Sequence, residues 1–303
     1  MMELPKEILA NGGLAYAYRR YGDPQAPAIV LLMGLGMSME AWPQVLISSL
    51  LAEGFQVITP DNRDSGASSR WTSWQPDRCA ALKAIAQTLL RRPVEAEYAL
   101  EDMALDLERL LDALDIRRAH IAGMSMGGMI AQVFAFQRPN RAATLTSISS
   151  AVGNPRTGLG RLRAIAAVLS RAGGSDEADV RAYFKRVLIA LSGWKYRPSA
   201  ADIDEAVKKA PQMALDSDGA TRQLIALLAS GNRSRQVSQI RVPTLVIHGM
   251  DDPLLPFAAG EETARLIPGA KLIPIEGLGH SLPAMLMGRY ASWIAAHCHA
   301  HPA

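Results

Sequence analysis

The chain has 303 residues, 49% of them hydrophobic and 20% charged, with a formal net charge of +3 at pH 7. That length and composition predict a packed globule, one large α/β domain or two small ones. The small charge argues against a nucleic-acid binder. Apolar runs such as Ala28 to Met33 fall far short of the ~20 residues a membrane-spanning helix needs.

Glu7 to Tyr21 carries Asn11-Gly12-Gly13 between strand-like flanks and predicts a hairpin. Ala28 to Met33 is aliphatic without alternation, as a fully buried strand should be, and ends at Gly34-Leu35-Gly36. A helix of roughly Glu40 to Glu53 and a strand around Phe55 to Thr59 follow. Residues 71–97 read as an insertion with its own helix, Cys79 to Leu90, stopped by Pro93. Leu100, Met103, Leu107, Leu110, Leu111 and Leu114 keep helical spacing and mark an amphipathic helix. Next come a strand ending near Ala122, a helix that should stop before Pro139, and a strand from Leu145 to Ser149.

From about Gly153 to Gln236 the pattern is helical, punctuated by Pro155, Gly158, Gly173-Gly174, Pro198 and Pro211. Strand and helix then alternate through Thr244 to His248, Phe257 to Leu266 and Lys271 to Ile275, with a last helix from about Pro283 to His297. Alternation predicts an α/β fold with a mainly parallel sheet covered on both faces. Residues 1–152 and 237–303 should form that core, and residues 153–236 a helical cap above it.

Gly123-Met124-Ser125-Met126-Gly127-Gly128 sits where a strand turns abruptly into a helix. The flanking glycines leave room for such a turn, which projects the Ser125 hydroxyl outward and places the Met126 N–H at a helix N-terminus, facing a developing oxyanion. A serine hydroxyl needs a base, and the base an orienting partner. Downstream, His248-Gly249-Met250-Asp251-Asp252-Pro253 places two acids past one strand, and Gly277-Leu278-Gly279-His280 follows the next. In a parallel sheet the C-terminal strand ends share one edge, so Ser125, one of the acids and His280 can meet there.

These segments, with Met33-Gly34-Leu35-Gly36 and Asp61-Asn62-Arg63-Asp64-Ser65-Gly66-Ala67-Ser68, resemble the α/β-hydrolase-fold serine esterases over nearly the whole chain. Met33-Gly34, Trp42-Pro43 and the Asp-Asn-Arg-Asp-Ser-Gly run are similar to the aclacinomycin methylesterase-like enzymes. The resemblance implies Ser125 as nucleophile, His280 as general base and Asp252, the acid directly before proline, as its partner, with Asp251 as the fallback. It implies oxyanion donors at Met126 and Leu35. Many relatives have His-Gly where this chain has Met33-Gly34, which leaves Gly34 and Gly36 open as the second donor.

The expected activity is hydrolysis of a small-molecule carboxylic ester through an acyl-enzyme, with no metal or organic cofactor. The same triad could act on a lactone, amide, thioester or carbon–carbon bond, or use peroxide in place of water. The rival from another class is a binding protein on an inactive hydrolase fold. A dinucleotide loop fails because Gly34-Leu35-Gly36-Met37-Ser38-Met39 lacks its third glycine.

Met33 and Met124 read either as core packing or, with Trp194 and Met213, as lining of a substrate pocket. Leu188, Leu191, Leu224 and Leu227 are further wall candidates. His120 and His248 read as structural, and Arg63 and Asp64 as ion-pairing residues that fix a loop, with contact to substrate as the alternative. Residues 153–236 hold fourteen Lys+Arg against eight Asp+Glu, an excess that either draws anionic substrates or simply solvates the helices. Cys79 and Cys298 match no metal or redox spacing and should be unpaired thiols. The first residues lack the basic segment and apolar core of a secretory signal, which predicts a cytoplasmic protein.

Overall fold

A strand buried on both faces needs apolar side chains in succession, and Ala28–Leu32 supplies them. The computed structural model describes residues 7–11, 14–77, 79–170, 173–174, 176–213 and 216–303. Its strands in chain order are β1 (Glu7–Asn11), β2 (Leu14–Tyr21), β3 (Ala28–Leu32), β4 (Gln56–Pro60), β5 (Ala119–Met124), β6 (Ala142–Ile148), β7 (Thr244–Gly249) and β8 (Lys271–Ile275). They form one 8-stranded sheet in the order β1-β2-β4-β3-β5-β6-β7-β8. The first two form an antiparallel hairpin, β2 pairs antiparallel with β4, and every later pairing is parallel. The expected turn glycines, Gly12 and Gly13, lie outside the described residues.

The helices are α1 (Gln44–Ala52), α2 (Ala80–Leu89), α3 (Leu100–Ala113), α4 (Met126–Gln137), α5 (Pro155–Gly158), α6 (Leu162–Val168), α7 (Glu177–Leu191), α8 (Ala200–Met213), α9 (Ser217–Ala229), α10 (Ser234–Val237), α11 (Phe257–Leu266) and α12 (Met287–His299). Alternate residues of β3 serve opposite layers. Val30 and Leu32 pack with Leu107 and Leu110 of α3 and Met129 and Phe134 of α4. Ile29 and Leu31 pack with Leu46 and Leu50 of α1 and Tyr290 and Ile294 of α12. Each such Leu or Ile is worth about 2–5 kcal/mol against truncation to alanine.

Several sequence-based boundaries move: β6 begins at Ala142 rather than Leu145, and α12 at Met287 rather than Pro283. The first helix begins at Gln44 rather than Glu40, because Trp42 before Pro43 is held extended (φ −67°, ψ 128°). Met39–Ala41 instead makes a short 3-10 turn whose N-cap, Ser38, accepts from the Glu40 amide. Pro211 does not break the chain's helical course: α8 continues through it to Met213, with one intrahelical donor deleted.

Between β6 and β7 the described residues form α5 to α10 and no strand. The parts of this helical run are attached differently. The charged pairs on α7 and α8, Arg181 with Glu177 and Asp204 and Lys209 with Glu205, include exposed partners. By contrast, α9 is stitched inward by Arg222, whose guanidinium lies 2.8 Å from the Asp64 carboxylate with both side chains buried. Arg233 closes the run. Its amide donates to the Val152 carbonyl, and its guanidinium donates to the carbonyls of Gly231 and Ala151. Burial pulls its pKa down to about 10.

Candidate active site

Ser125 is the one residue between β5 and α4, at φ 55° and ψ −121°, a conformation that disfavours any side chain. The surroundings enforce it. Its amide donates to the Ile148 carbonyl at 2.9 Å, and its carbonyl accepts from the Ser150 hydroxyl at 2.7 Å. A Cβ on Gly123 would strike the Gly127 carbonyl, and one on Gly127 would strike the Leu32 carbonyl. The glycines are therefore required by the close approach of α4 to the strands. The Ser125 hydroxyl makes no capping bond. The Met126 N–H, first in its helix, has no intrahelical acceptor, and the helix dipole makes it a better donor to an anion.

The loop after β3 lies alongside. A Cβ on Gly34 would sit 3.2 Å from the Ser125 Cβ and 3.7 Å from its Oγ. The Met37 amide donates to the Gly34 carbonyl, which closes a turn with Gly36 at φ +69°. Asn62 Nδ2 donates to the Met33 carbonyl at 3.0 Å. The Gly36 amide donates to Gln223 Oε1 at 2.7 Å. Gly36 is thereby engaged elsewhere, while the N–H groups of Gly34 and Leu35 take no acceptor among the described residues.

Asp252 and His280 follow β7 and β8 at the same sheet edge. His280 Nδ1 and Asp252 Oδ2 are 2.7 Å apart, and both side chains are buried. Asp252 Oδ1 accepts from the amides of Leu254 and Leu255, each at 2.9 Å. A carboxylate only accepts, so Nδ1 carries a proton, and in the neutral imidazole Nε2 is then the free acceptor. Asp251 points elsewhere: its Oδ2 accepts from the Gly277 amide at 2.9 Å. The His280 amide donates to the Leu191 carbonyl at 2.7 Å, so the end of α7 helps hold the histidine loop.

His248 lies beneath Asp252, with Nε2 2.8 Å from the Leu255 carbonyl and 3.7 Å from Asp252 Oδ2. Burial depresses its pKa against the pull of the Asp252 charge. Arg63 and Asp64 do not pair with each other. Arg63 meets Asp106 at 2.6 Å. Asp64 accepts from Arg222, the Tyr98 hydroxyl and the Trp71 amide. Both fix the 61–71 loop.

The four pocket candidates part company. Met33 and Met124 are buried in the layer that contains Trp42, Ile148 and Tyr290. Met213 is buried at the end of α8, a helix that packs on the 3-10 turn after the Gly34 loop. Trp194 is 59% exposed, with its ring against Gly277 of the histidine loop. No cluster of His, Cys, Asp or Glu among the described residues is arranged to hold a metal ion, and Cys79 and Cys298 are unpaired. No described helix is long and apolar enough to cross a membrane.

The family described as "alpha/beta hydrolase fold" matches residues 27–283. The chain belongs to the α/β hydrolase fold family. This hydrolase is 27% identical to rhodomycin D methylesterase DnrP of Streptomyces peucetius, over 98% of its own length and 99% of the relative's. It is 29% identical to the putative carbamate hydrolase RutD of Pseudomonas syringae pv. syringae, over 84% and 87%. Among solved structures, the esterase RhEst1 from Rhodococcus sp. ECU1013 shares the fold at a TM-score of 0.74 and 18% identity, covering 99% and 100% of the two chains.

Sequence reasoning missed Gln223 and Asn62 as supports of the Gly34 loop. Asn62 lies inside the Asp61-to-Ser68 run, where its position along the chain does not indicate a contact with Met33. Gln223 lies 187 residues from Gly36, and no local pattern marks it.

Proposed function

We propose that this hydrolase cleaves carboxylic esters through an acyl-enzyme on Ser125. The observation that carries the reading is the 2.7 Å His280–Asp252 bond at the sheet edge that also presents the strained Ser125. In this reading Ser125 Oγ attacks the ester carbonyl while His280 Nε2 takes its proton. Asp252, held by two amides, keeps the imidazole in the required tautomer and stabilises its charged form. The Met126 and Leu35 N–H groups receive the oxyanion, each worth about 3–4 kcal/mol in such sites. The protonated histidine then gives its proton to the departing alcohol, and water repeats the cycle on the acyl-enzyme.

Residues 153–236 act as a cap in this scheme, and their packing sets which acyl and alcohol groups fit. The likeness to a methylesterase over nearly the full chain favours esters of a small alcohol. The test is twofold. Fluorophosphonate treatment should label Ser125 as detected by peptide mass. A panel of p-nitrophenyl esters, methyl esters of bulky acids, lactones, amides and carbamates should show preference for esters. Absence of labelling in folded protein would overturn the serine mechanism, and preference for another bond would reassign the substrate while keeping the nucleophile.

A further inference from the structure

We propose that Gln223 of α9 is a positioning residue for the oxyanion loop, holding the turn whose Leu35 N–H receives the substrate's developing negative charge. The proposal rests on the ester-hydrolase reading above.

Three successive peptide planes make up this loop, and each is held by one bond. The Met33–Gly34 peptide is held through its carbonyl by Asn62 Nδ2. The Gly34–Leu35 peptide, which carries the Leu35 N–H, is held through its carbonyl by the Met37 amide. The Leu35–Gly36 peptide is held through its N–H by Gln223 Oε1. A closed turn with positive φ at its third residue alone is a type II turn, and Gly36 occupies that position. Such a turn converts to type I by flipping its central peptide, here Leu35–Gly36. The bond from Gly36 to Gln223 opposes that flip.

Gln223 suits the task because it is fully buried and uses both ends of its amide. While Oε1 accepts from Gly36, Nε2 donates to the Arg63 carbonyl at 2.6 Å. That second bond fixes the side chain's orientation, so Oε1 cannot swing away without stranding a buried donor. Arg63 is itself anchored by Asp106, and the preceding residue of α9, Arg222, is bound to Asp64. Ala220, one turn earlier, lies so close that a Cβ on Gly36 would sit 3.0 Å from its own Cβ. α9 therefore forms a fixed wall behind the oxyanion loop. Without Gln223, the half-buried Gly36 N–H loses its acceptor, and the turn no longer has one preferred geometry.

Misaligned by a fraction of an ångström, a donor still tolerates a bound ester but loses its advantage toward the tetrahedral oxyanion. Gln223→Met keeps the side chain's length and loses both bonds. Gln223→Asn keeps an amide that is one methylene too short to reach both partners. Both variants, checked for folding by near-UV circular dichroism, should lose about 10–100-fold in kcat with KM changed less than about threefold. Their affinity for a trifluoromethyl ketone, whose serine adduct places an oxyanion in the hole, should fall by the same factor as kcat/KM. A purely structural loosening would lower melting temperature without that parallel.

As a control, Arg181→Ala removes the exposed pairs with Glu177 and Asp204 and should leave the ketone affinity unchanged. Unchanged kcat in a folded Gln223 variant, or a fall in kcat with unchanged ketone affinity, would overturn the role of Gln223. The ester-hydrolase reading is judged separately, by fluorophosphonate labelling of Ser125 in the unaltered protein.

Discussion

Asp252 Oδ2 lies 2.7 Å from His280 Nδ1, while the neighbouring Asp251 turns its carboxylate to the Gly277 amide. Adjacent acids thus do different work: one orients the imidazole and the other ties down the loop that carries it. Asp252→Asn should lower ester turnover by about three to four orders of magnitude, because a carboxamide favours the wrong tautomer. Asp251→Asn should stay within about tenfold of wild type. Steady-state kinetics on both variants decides, and the reverse order would move the role to Asp251.

Ser125 combines the proposed nucleophile with a strained backbone. Ser125→Ala should lose about four to six orders of magnitude in turnover. Ser125→Gly should be equally inactive yet more stable than Ser125→Ala by about 1 kcal/mol, since only glycine accepts φ 55° without strain. Urea titration of both variants measures the difference. Equal stability would mean that the surrounding structure relaxes to relieve the turn.

The loop that carries Arg63 rests on a buried cluster. Asp106 accepts from Arg63 at 2.6 Å and from the Tyr16 hydroxyl at 2.6 Å. Asp106→Ala leaves a buried guanidinium uncompensated and should cost about 3–5 kcal/mol. Arg181→Ala, which breaks exposed pairs on α7, should leave the melting temperature unchanged. A calorimetric scan that ranked the two alike would contradict this account.

Acid stability follows from His120. Burial, with smaller contributions from nearby positive charges, pulls its pKa from 6.5 down to about 4. The unfolded chain therefore takes up a proton before the folded chain does. Stability is complete above pH 6.5 and falls as pH drops toward 4, where the folded state protonates as well. Burial shifts His248 and His297 in the same direction. His120→Gln should reduce the slope of unfolding free energy against pH in that window by up to one proton. An unchanged slope would show that His120 is accessible to protons in the folded state.

The helical run sets chain-length preference if the cap reading holds. Met213→Ala, buried on the helix above the 39–41 turn, should shift the ester chain-length profile more than the pH dependence. Trp194→Ala should keep the profile, because its ring lies mostly in solvent against Gly277, and should act through the histidine loop on kcat. Profiles across acetate to palmitate esters separate the two effects.

Local chemistry made much of this protein legible in its sequence. Unbroken aliphatic runs marked β3 and β7, helical spacing marked α3, and the serine flanked by glycines marked the turn at Ser125. Each signal is short-range: a few residues dictate strand, helix or turn through propensity and steric constraint. The order of Ser125, the acids and His280 along a parallel sheet was likewise readable, since strand ends share one edge.

Between the two adjacent acids, the family resemblance favours Asp252 through the proline that follows it, but the direction of each carboxylate, to His280 or to the Gly277 amide, is set by the fold. The same holds for Gly36: its sequence context leaves the N–H open as an oxyanion donor, and the fold gives that N–H to Gln223, 187 residues away. Trp194 looked like a pocket wall because it is large and apolar, yet packing turned it toward solvent. A contact between distant segments depends on how the intervening helices settle against the sheet. The sequence therefore determined the strands, the turn and the set of candidate groups, and only tertiary packing decided which of those groups touch.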